Sequence, residues 1–151
     1  QSLHGRGCRT VLLDGDNLRH GLTRDLGFSD ADRAENVRRT GEAARLFAET
    51  GVIAICALIS PRQADRDAVR ARFDDDRFVE VFVDASLESC RARDPKGLYA
   101  RASAGAIAGF TGIAAPYEAP RAPDLTLATE QLSPASAADA VRRHLEERGW
   151  L

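Results

Sequence analysis

The sequence predicts an α/β protein in which helices cover parallel strands. Short apolar segments, typical of buried strands, alternate along the chain with longer segments of helical periodicity. Residues 52–58 are apolar throughout, as expected for a strand inside a parallel sheet. Polar residues follow the predicted strands, among them Asp14, Ser60 and Asp84. Ligands of open α/β sheets bind beyond the carboxyl ends of the strands. These residues therefore indicate where a site lies.

The first two predicted elements are a short strand and a long helix. Residues 10–13 form an apolar, β-rich run that ends at an acidic loop. Ser29 and Asp32 have the spacing of a capping box, which predicts a helix that begins there and extends to about Thr50. Gly51 suits the end of that helix, because glycine adopts a left-handed backbone at little cost.

The remaining elements follow from apolar runs, turn residues and caps. Residues 94–123 are rich in Gly, Ala and Pro without clear periodicity, which predicts a mobile lid with one short helix. The other elements, in order, are a strand over 52–58, a helix over 63–73, a strand over 78–83, a helix capped by Ser86, a strand over 125–127 and a helix over 135–148.

Length and composition indicate a single domain over residues 1–151 that binds neither nucleic acid nor a membrane. The chain has 151 residues and a net charge of −2, which argues against a strongly basic surface. Its three cysteines lack C-x-x-C spacing, so neither a disulfide framework nor a zinc site is indicated, and a reducing, cytoplasmic location is predicted. The longest apolar run, 52–59, is too short to span a bilayer.

The acidic loop D-G-D-N at 14–17 is of a kind that normally faces a phosphate-binding loop. Such a loop has the pattern G-x-x-x-x-G-K-S/T, whose backbone N–H groups and lysine surround the phosphates of a nucleotide. The 151 residues contain no such pattern. Lys96, the only lysine, lies in the D-P-K-G segment at 94–97 instead.

Several blocks, taken with their order and spacing, resemble the adenylyl-sulfate kinase family. The resemblance implies a P-loop nucleoside-kinase-like parallel sheet with helices on both faces. In that family the first strand and the phosphate loop precede the point where this sequence begins, so both are expected to be absent from these residues. The absent strand would lie between the strands at 52–58 and 78–83. The matching blocks are 13–22, 26–29, 32–39, 59–61, 81–84, 93–99, 110–113 and 116–120.

The activity that the resemblance implies is transfer of the ATP γ-phosphate to the 3′-hydroxyl of adenosine 5′-phosphosulfate (APS). The product, 3′-phosphoadenosine 5′-phosphosulfate, belongs to sulfate assimilation, and Mg²⁺ with ATP is the implied cofactor. Without the phosphate loop, the 151-residue chain alone is expected to be inactive. The alternative is a non-catalytic module that binds the sulfate nucleotide or pairs with ATP sulfurylase. A homodimer and an ATP sulfurylase partner or fusion are also consistent with the resemblance.

Three residues match catalytic positions of the family. The resemblance assigns Asp14 to the reacting hydroxyl or to Mg²⁺, and Asp16 to the organisation of substrate and Mg²⁺. The alternative for Asp14 is a cap on the following helix. Lys96, in the predicted lid, would bring its ammonium to the phosphate during transfer.

The family's substrate-binding positions combine arginines for the phosphosulfate with aromatic faces for the adenine. Phe28 and Phe110 would enclose the base, although core packing is the alternative for a lone phenylalanine. Ser60 contacts phosphate or only begins the turn at the following proline. Arg38 is a further candidate for anion binding, with a solvated helix face as the alternative, and a solvated helix face is expected for Arg39. The substrate-binding set is Arg19, Phe28, Arg33, Asn36, Ile59, Ser60, Leu98 and Phe110, with Arg93 assigned to the ATP adenine.

Overall fold

The computed structural model describes residues 2–74, 77–107 and 109–151. Position 108 of the predicted lid lies outside the described residues. The α/β class is confirmed, because the strands pair in parallel and helices separate them along the chain. The elements are α1 (Ser2–Gly5), β1 (Thr10–Asp14), α2 (Gly15–Leu18), α3 (Asp30–Glu49), β2 (Ile53–Ala57), α4 (Gln63–Arg70), β3 (Val81–Asp84), α5 (Leu87–Arg93), α6 (Leu98–Ser103), β4 (Leu125–Ala128) and α7 (Pro134–Glu147).

The strands form two sheets of two strands each within the described residues. β1 pairs with β2, and β3 pairs with β4. The chain accordingly divides into two compact units, one over Gln1–Phe78 with Leu151 and the other over Val79–Trp150. β2 and β3 are not paired with each other, and the strand that the resemblance places between them stays a prediction. The single-domain organisation stays a prediction.

The first unit is built on β1, β2 and α3, which packs against both strands. Thr10 lies opposite Ile53 in the parallel register. The predicted stop of α3 is confirmed: Gly51 has φ +75°, its N–H donates to the Ala48 carbonyl at 3.0 Å, and the Val52 N–H donates to Phe47 at 3.2 Å. These two bonds satisfy carbonyls at the helix end that would otherwise lack partners.

The predicted start of α3 is confirmed, but the side chains at this cap bond differently from a capping box. The Ser29 hydroxyl accepts the Asp32 N–H at 3.1 Å, as expected of an N-cap. It also donates to the Asp32 carboxylate at 2.7 Å. In a capping box that carboxylate would instead reach back to the N–H of the cap residue.

The helix predicted over 63–73 is shorter in the structure, because α4 gives way to tight turns after Arg70. The N–H of Arg72 donates to Val69, and the N–H of Phe73 donates to Arg70, both at 3.0 Å. The Phe73 ring then contacts Phe78, with the ring centroids 5.4 Å apart. This packing within the first unit accompanies the early end of the helix.

The second unit is built on β3, β4 and the helix that follows β4. Leu127 and Leu145 are its buried aliphatic residues on β4 and α7. The strand predicted over 78–83 begins at Val81, because Asp124 engages the residue before it. The Asp124 carboxylate accepts the Glu80 N–H at 2.7 Å, and the Asp124 N–H donates to the Glu80 carbonyl at 3.0 Å.

The closing helix α7 agrees with its prediction to within one residue at each end. Ser133 is its N-cap, and the Ser133 hydroxyl accepts the Ser136 N–H at 3.1 Å. The predicted lid contains one helix, α6, within its described residues. Its role as a lid stays a prediction. None of the helices in the described residues has the length and apolar character that crossing a membrane requires.

Candidate functional site

The acidic loop begins where β1 meets α2. Asp14 is the N-cap of α2, and its Oδ1 accepts the N–H groups of Asp16 at 3.0 Å and Asn17 at 3.3 Å. The capping role that the sequence left open is therefore present. A Cβ at Gly15 would be tightly placed, 3.0 Å from Leu58 Cδ2 and 3.3 Å from the Ala57 carbonyl oxygen.

Arg19 lies against Phe28 in the loop between α2 and α3. Its Nη1 donates to the carbonyls of Leu26 at 3.3 Å and Gly27 at 3.0 Å. Its guanidinium carbon lies 4.1 Å from the centroid of the Phe28 ring. Phe28 is 60% exposed, so the alternative of core packing is wrong for this residue. An exposed ring beside a cation can present a face to a planar ligand.

Arg33 brings a second guanidinium to the same ring. Its Nε donates to the Phe28 carbonyl at 3.1 Å, and its guanidinium carbon lies 5.7 Å from the ring centroid. Burial lowers the pKa of Arg33, the charge of Arg19 lowers it further, and Asp30 raises it. Two arginines that repel each other in this way favour an anion between them.

Five of the predicted substrate-binding residues line one pocket of the first unit. They come from three separate segments: the loop after α2, the first turns of α3 and the end of the β2 segment. This pocket is small, about 30 Å³, whereas a cavity of about 480 Å³ near α1 is lined by none of the predicted residues. The smaller pocket is lined by Arg19, Arg33, Asn36, Val37, Leu58, Ile59, Ser60 and Pro61.

Asn36 supplies an unsatisfied acceptor to this pocket. The residue is 7% exposed, and its Oδ1 is buried without a hydrogen-bond partner in the described part of the chain. A buried acceptor without a donor costs about 1–3 kcal/mol. Such an atom in a pocket indicates a ligand or water that donates to it.

Ser60 has a strained backbone at the edge of the pocket. Its φ is +38°, inside the left-handed region that residues with a Cβ rarely adopt. The left-handed region is unfavourable for a residue with a Cβ, and such strain is concentrated at functional sites. This backbone supports a role for Ser60 beyond the turn at Pro61, and its contact with phosphate stays a prediction.

The four remaining predicted residues lie in the second unit. Arg93 ends α5 and donates to Thr129, from Nη1 to the hydroxyl at 3.2 Å and from Nη2 to the carbonyl at 2.7 Å. Leu98 is the first residue of α6, two positions after Lys96. Phe110 meets the Tyr99 ring edge-on, with centroids 5.0 Å apart.

Asp94 holds the segment that contains Lys96. Its two carboxylate oxygens accept the N–H groups of Tyr99 at 3.1 Å and Ala100 at 3.0 Å, in the first turn of α6. These backbone donors, Ala100 above all, lower the pKa of Asp94. The sequence signal for this cap was available, because an aspartate precedes a glycine and a helical segment in D-P-K-G.

Arg38 forms an ion pair on its own helix, and its role in anion binding stays a prediction. It pairs with Glu35, from Nε at 2.6 Å and from Nη2 at 2.8 Å. Arg39 is also more than a solvated side chain, because it contacts Glu35 at 2.8 Å and the loop before α3 through Asp25. Arg38 and Arg39 together lower the pKa of Glu35 from 4.5 to about 2.

Glu130 was not predicted and organises the second unit near Arg93. Its Oε1 accepts the Ser86 N–H at 2.9 Å and both the Ser86 and Ser89 hydroxyls at 2.5 Å. These hydrogen bonds lower the pKa of Glu130 from 4.5 to about 2. Ser86 is the N-cap of α5, as predicted. No sequence pattern pointed to the bond between Ser86 and Glu130, which lie 44 residues apart.

A closed metal site is not formed by the side chains that the structure describes. No group of three or more His, Cys, Asp or Glu residues among them is arranged to hold a metal ion. Asp14 and Asp16 still match the donor set of Mg²⁺, which commonly binds one or two carboxylates together with the phosphates of a substrate.

Known proteins match the chain over most of its length. The adenylylsulphate kinase family matches residues 1–128. The adenylyl-sulfate kinase of Geotalea uraniireducens (strain Rf4) is 51% identical over 148 residues, which cover 98% of this chain and 71% of that protein. The bifunctional enzyme NodQ of Azospirillum brasilense is 54% identical over 97% of this chain and 24% of its own. Among solved structures, APS kinase CysC of Mycobacterium tuberculosis in complex with AMPPNP and APS has a TM-score of 0.87 and 47% identity, covering 96% of this chain and 84% of that one.

Proposed function

The chain belongs to the adenylylsulphate kinase family, and we propose that its pocket binds APS for phosphorylation of the 3′-hydroxyl by MgATP. The observation that carries this proposal is the convergence of Arg19, Arg33, Asn36 and Ser60 on one pocket. The relative from Mycobacterium tuberculosis, whose structure contains APS and an ATP analogue, supports the same substrate pair.

Groups in this pocket, and the Phe28 ring beside its two arginines, match the chemical groups of APS. The paired guanidiniums of Arg19 and Arg33 suit the phosphosulfate, because arginine binds such anions through two N–H groups at once. The exposed Phe28 ring suits the adenine face. The buried Oδ1 of Asn36 would accept an N–H or O–H of the nucleotide.

Phosphoryl transfer requires an oriented hydroxyl and neutralised phosphate charge. We assign these tasks to Asp14 and Asp16. One oxygen of Asp14 is occupied by the cap of α2, so its other oxygen is the one for the 3′-hydroxyl or Mg²⁺. When bound with ATP, Mg²⁺ would neutralise the phosphates. Asp14 and Asp16 would hold it.

We propose further roles for four residues of the second unit. Lys96 would meet the phosphate during transfer, and Arg93 would contact the ATP adenine. Leu98 and Phe110 would add apolar contacts to the nucleotide. The Asp94 cap supports this assignment, because it fixes the segment that carries Lys96.

Turnover also requires a phosphate cradle, which the 151 residues do not contain. Preorganised donors of that kind supply several kcal/mol of transition-state stabilisation, so we expect this polypeptide, tested by itself, to bind APS without phosphorylating it. A coupled ADP-release assay at background would agree, and turnover comparable to that of a family member would contradict it.

The proposed function is tested by isothermal titration of the chain with APS and, separately, with MgATP. We expect APS to bind more tightly than MgATP. Arg33→Ala should weaken APS binding at least ten-fold, since a charged hydrogen bond contributes about 1.5–3 kcal/mol. Arg24→Ala is the matched control, because Arg24 is an exposed arginine of the loop before α3. Tight MgATP binding without APS binding would contradict the proposal.

The proposal extends to partners. The match covers only 24% of NodQ, and the name of NodQ describes it as bifunctional. Both facts support a second catalytic domain attached to domains of this kind. We propose ATP sulfurylase as that partner, and a homodimer as the oligomeric state. Light scattering of the purified chain, alone and with ATP sulfurylase, would test both proposals.

A further inference from the structure

One buried guanidinium holds the turn between β2 and α4. Arg66 lies on α4 and is 8% exposed. Its Nη1 donates to the Ser60 carbonyl at 2.6 Å, and its Nη2 donates to Gln63 Oε1 at 2.8 Å. Hydrogen bonds from a charged donor are among the strongest in proteins, especially in a buried setting.

The carbonyl that Arg66 binds belongs to the strained residue of the pocket. In a serine at φ +38°, the Cβ lies unfavourably close to the residue's own backbone. This conformation persists only where surrounding contacts impose it. Serine also lacks the local hydrogen bonding that makes asparagine and aspartate tolerant of this region. The bond from Arg66 is such an imposed contact.

Arg66 does not line the pocket, whereas Ile59 and Ser60 do. We propose that Arg66 is a positioning residue for APS, which acts by holding Ile59 and Ser60 in the backbone conformation that the ligand requires. The inference rests on the proposed function, because it concerns the same pocket. It adds a residue that the sequence comparison did not assign to the site.

Substitution of residue 60 distinguishes a positioning role of Arg66 from a purely structural one. Glycine adopts positive φ without a Cβ penalty, so Ser60→Gly removes the reason for holding the backbone in place. A residue that only stabilises the core would matter equally with serine or glycine at position 60. A positioning residue would matter much less with glycine, which a double-mutant cycle detects.

The test measures APS affinity by isothermal titration for wild type, Arg66→Met, Arg66→Lys, Ser60→Gly and Ser60→Gly/Arg66→Met. In the serine background, Arg66→Met should weaken binding on the order of ten-fold, and Arg66→Lys should weaken it less because an ammonium can still reach the carbonyl. In the glycine background, Arg66→Met should weaken binding less than about two-fold. Hydrogen exchange at 59–62 should rise in Arg66→Met.

Arg72→Met is the control, because Arg72 follows the same helix and pairs with Glu42. It should leave APS affinity unchanged. If Arg66→Met does not fold, Arg66→Lys decides, and wild-type affinity in that variant overturns the inference. Equal losses in both backgrounds also overturn it, while the proposed function stands. A wild-type protein that does not bind APS overturns the proposed function and this inference with it.

Discussion

Arg39 and Asp25 form a two-point ion pair that joins α3 to the loop before it. Arg39 Nη1 and Nη2 lie 2.7 Å and 2.9 Å from the two carboxylate oxygens of Asp25. Nη1 also donates to the Leu22 carbonyl at 3.1 Å. Because Arg19 and Phe28 flank this segment of the loop, the pair fixes the backbone that carries two proposed APS contacts.

We expect Arg39→Met to weaken APS binding about five-fold with a change in stability below about 1 kcal/mol, since Asp25 is largely exposed and surface pairs contribute little. Titration with APS and urea unfolding would measure the two effects. Arg38→Met is the matched control, because the neighbouring Arg38 pairs with Glu35 instead of the loop. An equal loss of affinity in both variants would show that the lost positive charge, and not the ion pair between Arg39 and Asp25, is responsible.

Gly41 lets α3 and α4 approach closely. A Cβ at this position would lie 2.8 Å from Val69 Cγ1 and 2.9 Å from Cγ2. We expect Gly41→Ala to destabilise the protein by about 1 kcal/mol, because overpacking of about 1–3 kcal/mol exceeds the gain in helix propensity. Urea unfolding would measure this. With Val69→Ala also present, Gly41→Ala should no longer destabilise, and an unchanged penalty would refute the contact as the cause.

Asn36→Leu should separate binding from stability. Removing the buried, unsatisfied Oδ1 should raise the free energy of unfolding by about 1 kcal/mol, while APS affinity falls at least ten-fold. Thermal unfolding without ligand and titration with APS would measure these opposite effects. A variant that is destabilised and binds APS normally would show that Asn36 serves the fold alone.

Glu130 should make stability depend on pH in the acidic range. Its pKa is about 2 in the folded protein against a usual value of 4.5, so the unfolded chain takes up the proton first. The stabilisation is complete above about pH 4.5 and is lost as the pH falls toward about 2. Urea midpoints across this range should fall less steeply for Glu130→Gln than for wild type. Glu35→Gln should flatten the pH dependence in the same way, since the pKa of Glu35 is also about 2; a slope unchanged in Glu130→Gln would contradict the prediction.

Lys96→Ala should impair catalysis and leave folding unchanged. In a form of the protein that carries a phosphate loop and turns over, we expect kcat to fall roughly 100-fold, the scale of losing one charge that stabilises the transition state. The melting temperature should change little. Arg101→Ala is the matched control, because it removes another cation, from α6. A large loss of stability with normal kcat would contradict the role assigned to Lys96.

The sequence by itself determined the local elements and the candidate residues. Ser29 begins α3 and Gly51 ends it as predicted, because caps are satisfied by hydrogen bonds within a few residues. The resemblance supplied residues from distant segments, and the structure brings five of them to one pocket. Apolar periodicity likewise predicted the parallel strands.

Only the tertiary structure decided which polar groups act on each other. Neighbouring Arg38 and Arg39 look alike in the sequence, yet only Arg39 reaches the loop through Asp25. The strain at Ser60 and the bond from Arg66 depend on how β2 turns into α4. Such contacts join side chains through their reach and burial in the folded chain. No periodic pattern encodes them.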